Sequence, residues 1–183
     1  MDSKAKFLSG EAYHKLALNI YATQDTVKHS WEGTEFAESF HFTFLTLLQF
    51  SCELYMKSIL DDEGRPRWGH DLEELFSEMN LQTQSEITAN YDNRSESNQE
   101  PKAIFHFIET KLTGIGPKVS KIDFSIQTVL GTLKSDFINC GYYHEEKYRD
   151  ERLATEVNYN LISVLYATRA HILSKHPDWP KVI

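Results

Sequence analysis

The stretch Phe40–Leu60, FHFTFLTLLQFSCELYMKSIL, decides the fold. Phe40, Phe44, Leu47, Leu48, Phe50, Leu54, Tyr55, Ile59 and Leu60 cover nearly the whole circumference of a helix. A surface helix carries one apolar stripe, whereas a helix apolar on most sides is enclosed by other elements. No proline interrupts the stretch, and Gln49, Glu53 and Lys57 recur every fourth residue to leave one narrow wet or paired face. The spacing predicts the central helix of a helical domain.

On the N-terminal side, Tyr13, Leu16, Ala17 and Ile20 follow the spacing of an amphipathic helix, with Ser9 as N-cap. The turn Ser30–Thr34 is short, so this helix and the central one are expected as an antiparallel hairpin. On the C-terminal side, Asp61-Asp62-Glu63-Gly64 ends the central helix, and Pro66 disfavours helical geometry at Arg65. Three acids at a helix C-terminus oppose the macrodipole, a cost that Arg65 and Arg67 are placed to offset. Asp71 caps a third helix with Leu72, Leu75, Phe76 and Met79 on one face.

Leu81–Lys102 is the most polar part of the chain and reads as a loop or insertion, Asp92–Gln99 above all. Helical spacing returns at 104–112 and at about 123–139, and a last helix carries Val157, Leu161, Val164, Leu165, Thr168 and Ile172. The expectation is one all-α domain over residues 1–183, an up-and-down bundle of about five to six helices. Surplus apolar surface at Ile104, Phe105, Phe107 and Ile108 predicts a homodimer.

The chain has 183 residues and a net charge of −8, which argues against non-specific attraction to nucleic acid over the whole surface. Cys52 and Cys140 sit in apolar patterns far apart and read as buried thiols of a reducing compartment. With no signal-peptide pattern and no membrane-length run, a cytoplasmic protein without a membrane partner is expected.

Two Glu-x-x-His pairs, Glu11/His14 and Glu38/His41, resemble halves of a di-metal site. Both lie near the N-termini of consecutive antiparallel helices, which separates them by roughly 16 Å along the axis. No metal and no cofactor is therefore expected. The loop RPRWGHD, Arg65–Asp71, carries more information. It joins Arg65, Arg67, Trp68 and His70 to the start of a helix, suitable parts for a phosphate or nucleotide site. The bland alternative pairs the arginines with Asp61–Glu63 and packs Trp68 on the core. A second candidate is Tyr142, Tyr143, His144 and Glu145, at a break between two helices. Aromatics and a histidine there can stack on a base or do acid–base work. The alternative is a helix connection whose tyrosines plug the bundle.

The succession CELYMKSIL, GRPRWGHDLEELF and FINCGYYHEE resembles the HEPN-domain family over roughly Ser9–Lys175. The resemblance implies a helical bundle that often dimerises. It also implies RNA cleavage, nucleotide binding, or a part in a toxin–antitoxin pair or phage defence, beside a nucleotidyltransferase-type or antitoxin partner. Active members carry Arg-x(4–6)-His near the start of a late helix, and Gly141 stands where the arginine is expected. Arg65–His70 and Arg169–His176 have the spacing at other places. The resemblance thus points to binding of RNA, a nucleotide or a partner protein, and the missing arginine argues against ribonuclease activity. Were RNA cleaved, His70 or His144 would carry the proton and Arg65 or Arg67 would clamp the phosphate. The rival expectation is a non-catalytic structural or interaction module.

Overall fold

The computed structural model describes residues 2–28, 34–97, 125–131 and 157–181; for 23–28, 34–42, 94–97 and 157–160 it describes the backbone alone. The described elements are α1 (Ser3–Lys28), α2 (Thr34–Asp62), α3 (Leu72–Ser77), α4 (Leu81–Ser97) and α5 (Val157–Lys175), and residues 126–131 are also helical. Among the described residues there is no strand, and the chain is all-α.

Helix α2 is enclosed because α1, α3 and α5 all pack on it. Leu45, Leu48, Cys52, Tyr55, Met56 and Leu60 are buried along it. Burial at each large apolar side chain stabilises by about 1.5–3 kcal/mol relative to exposure. Burial also pushes the Cys52 thiol well above its ordinary pKa, which leaves it an inert core residue. On the polar face of α2, Glu53 and Lys57 are paired rather than wet, with Lys57 Nζ 2.7 Å from Glu53 Oε1.

The hairpin of α1 and α2 is antiparallel, because contacts step down α2 as they step up α1. Ser58 Oγ donates to Ser3 O at 2.7 Å, Ser51 Oγ donates to Gly10 O at 2.9 Å, and the Tyr13 ring faces Phe50 at 5.7 Å. The two backbones approach closely at Gly10. A Cβ built there would lie 2.7 Å from two carbons of the Tyr55 ring, so glycine is what lets the helices cross at this point.

Helix α1 differs from the expectation in two ways. It starts at Ser3 rather than Ser9, because Asp2 Oδ1 accepts from the Ala5 N–H at 2.7 Å and caps it. Ser9 is interior and donates to Ala5 O at 2.9 Å. Its buried face is also shifted: Ala17 is buried and Ile20 packs on the core as expected, but Phe7, Gly10, Glu11 and His14 point inward too, while Tyr13 and Leu16 are exposed. Glu11 and His14 are tolerated inside because both meet polar partners there.

Of the polar stretch expected as a loop or insertion, Leu81–Ser97 forms α4 instead, and 98–102 lie outside the described residues. Thr83, Ile87 and Tyr91 recur every fourth residue and are buried, so three positions suffice to seat a helix of otherwise exposed composition against α5. Beyond α5, the chain turns back over the start of α1. Trp179 packs on Phe7 with ring centroids 5.3 Å apart and stacks on His176 at 3.9 Å.

Candidate functional site

The loop between α2 and α3 is built by two glycines and an aspartate. Gly64 (φ 70°) lets Arg65 N–H reach back to Leu60 O at 2.7 Å, which ends α2. Gly69 (φ 116°) adopts a backbone that side-chain-bearing residues avoid. Asp71 accepts from the N–H groups of Glu73 and Glu74 and caps α3, as its position predicts.

The two arginines, Trp68 and His70 are thereby brought onto one loop, and the polar three are fastened. Arg65 Nη1 donates to Glu78 O at 3.1 Å, and Arg67 Nη2 lies 2.6 Å from Glu78 Oε2. His70 Nδ1 meets Glu53 Oε2 at 2.9 Å. The arginines do not offset the acids at the end of α2. Those acids take Lys6 on Asp61, His176 on Asp62 and Asn80 on Glu63. Trp68 is 95% exposed, against the alternative that it packs on the core, and is the most exposed large apolar side chain among the described residues. Beneath it runs a shallow recess lined by Asp71, Glu74 and Glu78 with Arg67, so acids outnumber cations there.

A second constellation lies inside the bundle, where α1, α2 and α5 meet. Arg169 grips Glu11 with two parallel bonds, Nε to Oε1 at 2.5 Å and Nη2 to Oε2 at 3.0 Å. Tyr55 O–H donates to Glu11 Oε1 at 2.5 Å and stands 3.5 Å from His14 Nδ1. Glu11 is fully buried and His14 nearly so. Burial, with Arg169 adding to it, lowers the His14 pKa to about 4 and keeps the ring neutral. Burial and the bond to Glu11 push the Tyr55 hydroxyl up, while the bonds to Glu11 hold Arg169 charged. Arg169, Tyr55 and Glu11 bond one another across α1, α2 and α5, and Glu11 and His14 are buried; the constellation fastens three helices together.

Glu11 is thus committed to Arg169, and the side chains of Glu38 and His41 lie outside the described residues. Among the described residues no group of three or more His, Cys, Asp and Glu could hold a metal ion. The Arg169–His176 spacing brings no pair together, since Arg169 faces Glu11 and His176 faces Asp62. Tyr142, Tyr143, His144, Glu145 and Cys140 lie outside the described residues, as does Ile104–Leu112. Gln49 is 2% exposed and its amide makes no hydrogen bond among the described residues. Among them, too, no helix is long and apolar enough to cross a membrane.

Sequence reasoning missed the Arg169–Glu11 pair, whose members stand 158 positions apart. Compared with known proteins, the chain matches no family model, no curated protein and no solved structure.

Proposed function

We propose that the chain is a HEPN-like binding module that takes a partner protein on the loop Arg65–His70 and cleaves no RNA. One observation carries the reading: Trp68 stands 95% exposed on a loop whose flanking arginines and histidine are fastened to Glu78 and Glu53. Tryptophan and arginine are the residues richest in binding energy at protein interfaces, and a side chain already held in place loses little entropy on docking. The acids lining the recess under Trp68 favour a protein over a polyanion. In the setting that the resemblance suggests, a toxin–antitoxin pair or phage defence, the partner is an antitoxin-like or nucleotidyltransferase-type protein. A homodimer belongs to the same reading, supported by the exposed Tyr13 and Leu16 of α1.

A second reading, RNA or a nucleotide on the same loop, is favoured by the exposure of the Arg67–Glu78 pair. Its side chains are 48% and 36% exposed, and such pairs contribute at most about 1 kcal/mol, so a phosphate could take Arg67 over. A photo-crosslinking residue at position 68 in cells separates the two. A discrete protein adduct, absent with the same probe at exposed position 81, is the expected result. An RNA adduct transfers the site to the second reading, and no adduct overturns both.

A further inference from the structure

Away from that loop, a cleft of about 370 Å³ opens at one end of the bundle. There the C-terminal ends of α2 and α5 meet the first turns of α4. The volume is that of a small-molecule site. Its apolar lining is Ile59 and Ile172, and its charged lining includes Asp62, Glu63 and Glu86. Two helix C-termini add partial negative charge, which the N-terminus of α4 and Lys175 in the last turn of α5 offset in part; the last turn of α2 holds no basic residue. Three acids against one lysine in the lining favour a cation.

The chain's own groups show where such a cation would sit. Lys175 Nζ lies 3.3 Å from Glu86 Oε2, in a pair whose side chains are 52% and 36% exposed. Pairs this exposed hold weakly and exchange readily. His171 Nδ1 lies 3.0 Å from the same oxygen, with no regular hydrogen bond between them. His171 is only 5% exposed, and its burial lowers its pKa, which favours the neutral ring. A buried ring nitrogen and a carboxylate oxygen thus converge at the cleft without a donor bonded to both. A metal is not the fitting cation, since among the described residues no set of three ligands converges.

We propose that this cleft binds a small aliphatic amine, whose ammonium donates to both Glu86 Oε2 and His171 Nδ1 and whose methylenes lie on Ile59 and Ile172. The bridge requires the histidine tautomer that carries its proton on Nε2. Lys175 occupies the carboxylate in the unliganded protein and competes with the amine for it.

Calorimetric titration of the whole chain with 1,4-diaminobutane, at constant ionic strength, tests the proposal. Saturable binding is expected, weakened roughly ten-fold or more by Glu86→Gln and by His171→Gln, the loss typical of a hydrogen bond to a charged group. Glu73→Gln, at an exposed position of α3, should leave affinity unchanged. Lys175→Ala should tighten binding, because it removes the internal competitor; general electrostatic attraction to an acidic protein would not single out Glu86 over Glu73. Absence of saturation into the tens of millimolar, or equal weakening by Glu86→Gln and Glu73→Gln, would overturn it. So would weaker binding by Lys175→Ala. Thermal unfolding of Glu86→Gln checks that this half-exposed position is replaced without loss of the fold.

Discussion

The bundle interior and the α2–α3 loop use nearly the same residue types, glutamate, arginine, histidine and an aromatic ring, to opposite ends. Inside, Arg169 and Tyr55 both donate to the buried Glu11, and the ring of His14 is held neutral beside them. On the loop, Arg65, Arg67 and His70 also meet glutamates, yet Trp68 remains bare. The chemistry of the side chains therefore does not tell an exchangeable contact from an architectural one. Their burial does: pairs withdrawn from water are costly to break, whereas exposed ones contribute little and can be exchanged.

The largest test of that contrast is Arg169→Ala, which leaves the buried Glu11 carboxylate without its guanidinium, the Tyr55 hydroxyl still donating to it. A loss of about 3–5 kcal/mol in denaturant unfolding is expected. Replacing both members, Glu11→Leu with Arg169→Met, should recover most of it, because no stranded charge remains. Titration of His14 sharpens the same side of the comparison. In the unfolded chain it protonates near its ordinary 6.5, whereas in the fold it stays neutral down to about 4. Protons thus bind the unfolded state first, so stability falls as pH drops from 6.5 towards 4 and levels below. At about 1.4 kcal/mol per pKa unit the total is roughly 3 kcal/mol, and His14→Gln should flatten that part of the profile.

Gly10→Ala follows, with about 1–3 kcal/mol from forcing a methyl into the Tyr55 ring. The smallest effect belongs to the loop. Trp68→Ala should change stability by no more than about 0.5 kcal/mol, as surface substitutions do. A loss of several kcal/mol there would make Trp68 a structural prop and break the comparison.

How far the chain was legible depends on how local the signal is. The enclosed helix could be read from Phe40–Leu60 because its own residues show that no side faces water. The α2–α3 connection could be read from Gly64, Pro66, Gly69 and Asp71, whose backbone preferences are intrinsic. The buried side of α1 could not, because Glu11 and His14 look like surface residues until Arg169 and Tyr55 arrive from distant positions. The polar composition of α4 likewise concealed Ile87 and Tyr91, two apolar anchors spaced for one helical face. On the loop, the residues of the candidate site were visible and their partners were not. Glu78 enters only because α3 folds back towards the loop.

The bond between Glu11 and Arg169 also sets a schedule. Because 158 positions separate them, a chain growing on the ribosome can form the α1–α2 hairpin long before the guanidinium exists. Until then the hairpin must leave its carboxylate in water or bury it without a counterion, and the second choice is prohibitive. The N-terminal half is therefore expected to seal late. Closure waits for α5, and the interval before it is when apolar α2 is open to chaperones and to other nascent chains.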